Sequence, residues 1–398
     1  MNIQDNALED LFRAIPDSHI NLLFRNEGNL EIKHSLHSMI KKLPGLENTD
    51  IGIEIYTYGK NIYKKIRETT EDRIKLEIIL DMVNYIETNY DLYQGIKKEK
   101  FMEMKVFDSS EGNVWKYVFT DENIVLESVL YKYNSFEERT VICCSVQSGC
   151  PVGCQFCGTG ANFLKNIDAD TIVYQIAQVL KDKGIEDINS RCEKFQIMFM
   201  SMGEPFLNFD NVKEAIIRLN RLYPNAQLLV STIGVKDDKV FKDFIDLSVR
   251  IDKIGLQFSI HKSNDEERDI LIPYKKKYNL REIRDRAIAW RIATGRQVYF
   301  NYCVDESNAR EEDIENLKNL FSPVFSNFTF SVICEADETM KDKACQNINV
   351  IRAFEQSFMD DGYNTRIFNP AGQDDIGGGC GQLFKVQDFL KNKNKKEV

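Results

Sequence analysis

From Thr140 onward the chain alternates extended and helical segments, and this alternation restricts the fold more than any single motif. Strands are expected at 140–146, 195–201, 227–232, 254–260, 297–304 and 327–334. Helical spacing recurs near 170–183, 210–222, 237–248, 279–293, 310–320 and 348–360. Strands joined by helices pair in parallel through right-handed crossovers. Six such units are too few for a closed eight-fold barrel. An α/β fold is therefore expected, a partial (β/α)6 barrel over residues 140–384. Upstream, segments 105–107, 114–119 and 124–133 read as strands separated by turns at 109–113 and 120–123. They form a small antiparallel β adapter spanning 101–139. Residues 1–100 carry helical spacing, as in Leu8, Leu11, Phe12 and Ile15, and read as a mainly helical N-terminal accessory domain. Residues 385–398 are a charged C-terminal tail.

Composition narrows the class. The chain has 398 residues, long enough for such a barrel plus a smaller domain. It has no apolar run of about 20 residues, so no membrane span is expected. The stretch Met1-Asn2-Ile3-Gln4-Asp5-Asn6 has neither the basic flank nor the apolar core of an export signal. Ten cysteines without such a signal imply a reducing, cytoplasmic setting and thiol or metal chemistry rather than disulfides. The net charge of −10 means that a nucleic-acid partner would have to meet a local basic surface. His34 and His37 stand at i, i+3 without a third ligand nearby, and read as solvated or capping residues.

The first strand runs into Cys150-Pro151-Val152-Gly153-Cys154-Gln155-Phe156-Cys157, a Cys-x3-Cys-x2-Cys array on a glycine-rich loop. Three close thiolates can hold three irons of a four-iron cluster and leave the fourth iron open to another ligand. Two other readings stay open: a zinc knuckle, and cysteines packed as small apolar residues. Closed zinc sites use four ligands in two pairs, and no partner pair or nearby His follows this loop.

In barrels of this kind functional residues gather where strands end. The second strand ends in Ser201-Met202-Gly203-Glu204-Pro205, where glycine admits a close ligand and the carboxylate can receive an ammonium group. The third ends in Ser231-Thr232, and the fourth in Ser259-Ile260-His261, with Ser259 and His261 on one face. Each alone reads more readily as a turn or a helix cap; together, after a three-thiol loop, they read as a site. Near the end, Gly377-Gly378-Gly379-Cys380-Gly381 sets a cysteine among residues with no bulk to bury it. Cys380 is read as a reagent, the alternative being an incidental exposed thiol. Cys143 lies on the strand before the loop; Cys192, Cys303, Cys334 and Cys345 are read as packing residues.

With these residues the chain resembles the radical S-adenosylmethionine superfamily. Within it, the chain is similar to the RNA adenosine methyltransferases that modify carbon 2 in 23S ribosomal RNA and transfer RNA, and to the related carbon-8 resistance enzyme. The resemblance covers residues 106–383. It rests on Cys143 with the lead-in Ser145-x-Gln147-x-Gly149-Cys150, the cluster loop with Phe156, Lys165-Asn166, Met202-Gly203-Glu204-Pro205, Ser231-Thr232, Ser259-Ile260-His261, Asn264-Asp265, Lys276-Lys277-Tyr278-Asn279, and Asp374-Asp375-Ile376 leading to Cys380-Gly381-Gln382-Leu383. It implies a 4Fe-4S cluster on Cys150, Cys154 and Cys157, and S-adenosylmethionine held by Gly203, Glu204, Ser231, Ser259 and His261. It also implies a methyl group carried by Cys380, and Cys143 as the base that later forms a disulfide with Cys380. An RNA substrate, a flavodoxin-type electron donor and a monomeric state are the expected partners and assembly. Residues 333–338 lack the asparagine that the family has after its sixth strand, and Gln373 is one residue extra in the Cys380 loop.

Two alternatives accompany this reading: the same two-cysteine chemistry on a non-RNA substrate, and a non-catalytic iron–sulfur or zinc protein. Lys275, Lys276, Lys277, Arg281, Arg284 and Arg286 form a local basic patch suited to phosphates, or equally a solvated helix start.

Overall fold

The computed structural model describes residues 102–160, 162–185, 187–332, 348–369, 375–379 and 382. The chain divides into two units, Met1–Lys100 and Phe101–Val398, and the described residues all belong to the second. The accessory region with His34 and His37, the segment 333–338, Cys345, Cys380 itself and the tail 385–398 lie outside the described residues.

Three antiparallel strands come first, β1 (Glu103–Asp108), β2 (Val114–Thr120) and β3 (Val125–Tyr133). β4 (Arg139–Cys143) pairs antiparallel with β3, and a two-stranded hairpin follows, β5 (Gln147–Gly149) with β6 (Phe163–Asn166). Next come α1 (Ala169–Asp182), α2 (Ile188–Arg191), β7 (Lys194–Phe199), a 3-10 turn (Pro205–Asn208) and α3 (Phe209–Leu222). β8 (Gln227–Thr232), α4 (Asp238–Arg250), β9 (Ile254–Ser259), α5 (Asp265–Leu271) and α6 (Leu280–Thr294) continue the pattern. β10 (Val298–Cys303), α7 (Glu311–Leu320), β11 (Ser326–Ser331), α8 (Ile348–Asp360) and β12 (Asn364–Phe368) complete it. The main sheet has ten strands in the order β1-β2-β3-β4-β7-β8-β9-β10-β11-β12, parallel from β4 onward.

The parallel strands do not read as the continuous apolar runs of a sheet buried on both faces. Phe195, Ile197 and Phe199 of β7, Leu256 and Phe258 of β9, Phe300 of β10 and Phe328 and Phe330 of β11 are buried in the main core. Their alternates Met198, Gln257, Ser259, Asn301, Thr329 and Ser331 line a cavity instead. The period of two thus separates an apolar face from a polar one. Residues of β3 and β4, third and fourth in the sheet, and of β11 and β12 at its far end line that same cavity, so the sheet from β3 onward curls into an open barrel.

Local chemistry sets the helix ends. Asp168 and Asp237 cap α1 and α4 by accepting from the backbone N–H groups of Thr171 and Val240. Asn279 and Glu282 form a capping box at the start of α6. Among the described residues no helix is long and apolar enough to cross a membrane.

Two features differ from the expected pattern. A seventh parallel strand, β12, follows α8. Its sequence Asn-Thr-Arg-Ile-Phe is too short and polar to announce itself, as befits a half-exposed edge. The first strand also ends at Cys143 rather than Val146. The N–H groups of Val146 and Gln147 both turn to the carbonyl of Met202, at 2.9 and 3.2 Å, and Gln147 opens the β5–β6 hairpin.

Candidate active site

The three-thiol loop hangs from this hairpin. Gln147 pairs with Asn166, Ser148 with Lys165 and Gly149 with Phe163, and the N–H of Cys150 donates to Asn162 O at 2.8 Å. Gly149 takes φ +78°, and a Cβ there would lie 1.8 Å from the Asn162 carbonyl oxygen. Further out, the N–H of Gln155 donates to Leu271 O at the end of α5, at 3.0 Å. Cys150, Cys154 and Cys157 are half-buried, form no disulfide, and all three line a cavity of about 220 Å³.

Among the described residues, no three His, Cys, Asp or Glu side chains are gathered as ligands of one metal ion. A zinc site needs its ligands within ~2.3 Å of a common point. An iron–sulfur cluster instead spreads its thiolates over separate irons, and three thiols lining one cavity are compatible with that. Burial pushes the Cys150 thiol up to about 12 and Cys154 well above its ordinary value, and the nearby Glu204 carboxylate adds to both.

The strand ends supply the opposite wall. Gly203 has φ +104°, and its missing side chain makes room for Gln147, whose Cβ lies 2.6 Å from where a Cβ of residue 203 would stand. The glycine therefore serves the close approach of β5 as well as lining the cavity. The Glu204 carboxylate accepts from the N–H groups of Phe206 at 3.0 Å and Ile233 at 2.9 Å. Burial raises it to about 7 despite these bonds. Its own N–H donates to Gln147 Oε1 at 2.8 Å, which joins it to the cluster hairpin. Burial without a neighbouring cation disfavours its ionised form. Ser231 Oγ and Ser259 Oγ lie 3.2 Å apart, and Gln257 Nε2 donates to Ser231 Oγ at 3.1 Å.

His261 stands at φ +59°, an uncommon backbone state for a non-glycine residue. Its Nδ1 accepts from the N–H of Cys303 at 3.2 Å, and its ring meets Phe156 edge-on at 4.9 Å. Burial, and then the charge of Arg268, lowers the imidazole to about 3. The ring is therefore neutral with its proton on Nε2.

Cys143 ends β4 and lines the cavity, while its neighbour Cys144 is fully buried. Ile376 packs with Val114, Val129, Tyr131 and Cys143. Around it, the N–H of Ser110 donates to Asp375 at 2.6 Å, Lys116 Nζ to Gly377 O at 3.2 Å and Tyr131 OH to Gly378 O at 2.6 Å. Lys116 is itself paired with Glu127 at 2.9 Å, both buried. Gly378 and Gly379 then line the cavity, so the residue bonded to Cys380 shares a cavity with Cys143 and the three loop thiols.

Sequence reasoning missed several contributors. Gln257 and Asn301 read as unremarkable strand residues, and Gln147 only as part of the lead-in to the loop. Arg268, within the acidic run Asp265-Glu266-Glu267, reads as a surface residue, yet it is buried and donates to Tyr278 O at 2.9 Å and Ile233 O at 2.6 Å. The basic patch is half neutralised: Lys277 pairs with Asp269, Arg284 with Asp285 and Arg286 with Asp238.

Residues 144–317 match the sequence model of the radical SAM superfamily. A probable dual-specificity RNA methyltransferase RlmN of Koribacter versatilis is 34% identical over 63% of this chain and 70% of its own length. Proteins of the same name from Dictyoglomus turgidum and Dictyoglomus thermophilum are each 31% identical. They cover 72% and 77% of this chain and 80% and 86% of their own lengths. The crystal structure of a radical SAM methyltransferase from Sphaerobacter thermophilus superposes with a TM-score of 0.60 at 26% identity, over 71% of this chain and 80% of that one. The chain belongs to the RlmN family of radical SAM dual-specificity RNA methyltransferases.

Proposed function

We propose that this protein methylates an adenosine ring carbon, carbon 2, in 23S ribosomal or transfer RNA by way of a methyl-cysteine. One observation carries the proposal: the three loop thiols, the polar strand ends, Cys143 and the residue preceding Cys380 all line a single cavity. Reductive cleavage of S-adenosylmethionine to a 5′-deoxyadenosyl radical is the chemistry that a 4Fe-4S cluster on Cys150, Cys154 and Cys157 supplies when bound. Adenine carbon 2 has no acidic proton, so polar methyl transfer does not reach it.

The chain's own residues divide the remaining work. Glu204, raised by burial and held by two backbone donors, receives the ammonium of the methionine moiety. Gly203 lets the backbone approach it, and Ser231, Ser259 and His261 offer hydroxyl and imidazole groups to the nucleoside. Cys380 holds the methyl as a thioether until its carbon is joined to the ring. Cys143 takes the ring proton as a thiolate and passes it on. The thiolate then attacks the Cys380 sulfur, the bond from that sulfur to the methylene carbon breaks, and the carbon keeps the electron pair and takes up a proton to become the product methyl, leaving the two cysteines as a disulfide. A reductant reopens that disulfide, and a flavodoxin-type protein supplies the electrons for turnover.

The half-neutralised basic patch favours a second reading, the same chemistry on a non-RNA substrate. Mass spectrometry of RNA nucleosides from cells with and without the gene separates the two. Loss of 2-methyladenosine on deletion is expected; unchanged RNA nucleosides would leave the second reading standing.

A further inference from the structure

The cavity has a second pole that the proposed chemistry leaves unused. Arg139, Val141 and Cys143 occupy alternate positions of β4 and all line the cavity. At ~3.3 Å per residue, Arg139 sits ~13 Å below Cys143 on the same wall. Arg366, on β12 at the far end of the curled sheet, lines the cavity as well. Glu204 is the one carboxylate among the described lining residues, and it belongs to the cluster-loop end.

Both guanidinium groups are oriented by neutral partners. Arg139 donates through Nε and Nη2 to Gln196 Oε1, at 3.0 and 2.7 Å. Gln196 is fixed in turn by donating to Gln227 Oε1 at 2.8 Å. The plane of Arg139 lies 4.2 Å from the Tyr133 ring centroid. Arg366 donates through Nε to Thr329 Oγ1 at 2.8 Å and lies 5.5 Å from the Tyr299 centroid. Among the described residues neither forms an ion pair with a carboxylate, and these bonds leave the Nη1 of Arg139 and both Nη atoms of Arg366 to a ligand. Lys194, at the start of β7, feels both as like charges: burial first, then Arg139 and Arg366, lowers its ammonium below the ordinary value. Cations held together without an acid, each stacked on a tyrosine and fixed by an amide or hydroxyl, make a preorganised receptor for an anion.

We propose that Arg139 and Arg366 form a phosphate subsite that grips the substrate nucleotide whose base reaches Cys143. Arg139 and Cys143 thus face one cavity from opposite ends of β4, as a receptor for the phosphate and the base of one nucleotide requires. This inference rests on the reading of the site as an adenosine methyltransferase. A phosphodiester of RNA and the phosphate of a free nucleotide share the required chemistry.

The test measures binding to the full-length, anaerobically purified protein, by calorimetry and without turnover. The probes are adenosine, adenosine 5′-monophosphate, a short oligoribonucleotide containing the target adenosine, and the same oligonucleotide with a neutral methylphosphonate at that adenosine. The neutral linkage should weaken binding about tenfold in the natural protein and hardly at all in Arg366→Gln. Arg366→Gln should also lower the slope of log affinity against log salt by about 0.7, one phosphate's worth for a single strand. Arg366 is on an exposed edge strand, so this variant should fold, with unchanged thermal unfolding as the control. Arg366→Lys, which keeps the charge but not the fork, should recover part of the loss. Natural protein indifferent to the neutral linkage would overturn the subsite and leave the methyltransferase reading intact. Adenosine 5′-monophosphate binding as tightly as the oligonucleotide would keep the subsite and assign it to a free nucleotide. No binding of any adenine probe would remove both readings.

Discussion

A side chain at position 149 would occupy the place of another atom, and this makes the cluster loop testable without touching a cysteine. The Asn162 oxygen lies 1.8 Å from the Cβ position. Gly149→Ala must therefore open the base of the hairpin, at a cost of ~2 kcal/mol or more. Anaerobically reconstituted natural protein should bind about four irons with a thiolate charge-transfer band. Cys154→Ala should lose that band by deleting a ligand, and Gly149→Ala by misplacing all three. Iron content and absorbance check both; full iron loading of Gly149→Ala would mean that the loop does not depend on this hairpin. His261 gives a prediction about stability. Its folded-state pKa of about 3 lies below the unfolded value of about 6.5. Below pH 6.5 the unfolded chain takes up a proton that the folded chain refuses, so stability is complete above 6.5 and falls as pH drops toward 3. At pH 5 the loss amounts to ~2 kcal/mol. Denaturant titrations at pH 7 and pH 5 should show this difference shrinking in His261→Gln.

At the scale of elements, the antiparallel strands are more than an approach to the barrel. β2 and β3 hold two successive carbonyls of the glycine stretch, Gly377 through Lys116 and Gly378 through Tyr131. Tyr131→Phe removes one neutral hydrogen bond, worth about 1 kcal/mol. Lys116→Met leaves the Glu127 carboxylate buried without its cation and should cost ~3–5 kcal/mol. Hydrogen exchange should report faster opening of residues 375–379 in Tyr131→Phe with the barrel unchanged, whereas Lys116→Met should lower global stability. Equal exchange in natural protein and Tyr131→Phe would show that the hydroxyl does not hold the stretch. Helices and central strands were legible in the sequence because burial on one face writes a period of 3.6 or 2: α1 and α3 were expected at 170–183 and 210–222 and lie within a residue of those bounds. β5, β6 and β12 were not, since short strands at an edge or in a hairpin bury too little to leave a period. The cysteines and strand-end polar residues were legible because their residue types carry the chemistry. Arg268, Arg139 and Arg366 were not, because an arginine looks the same in sequence whether it faces water or a cavity.

At the scale of the whole molecule, the curled sheet matters because it brings distant parts of the chain to one cavity, Cys143 on β4 and Gly379 among them. The proposed order of events gives these two ends unequal roles, and inequality is easier to test than loss of activity. The Cys380 sulfur forms its bond to the substrate first, through the methyl carbon, and Cys143 breaks that attachment afterwards. Cys143→Ala should therefore allow attachment and block release, so that the variant purified from cells carries nucleic acid linked to Cys380. Cys380→Ala should carry no adduct and give no methylated product. If the two thiols merely packed, each replacement would cost only stability, alike in kind. Cys143 is half-buried at a strand end, so its alanine variant should fold, which thermal unfolding can confirm. A denaturing gel with and without ribonuclease, followed by mass spectrometry of tryptic peptides, reads the outcome. A ribonuclease-sensitive adduct on the Cys380 peptide in the first variant, absent from the second, is the expected result. An adduct that ribonuclease does not trim would keep the two-cysteine order and move the substrate away from RNA. Full methylation by either variant would end the proposal, since neither thiol would then be needed for the steps assigned to it.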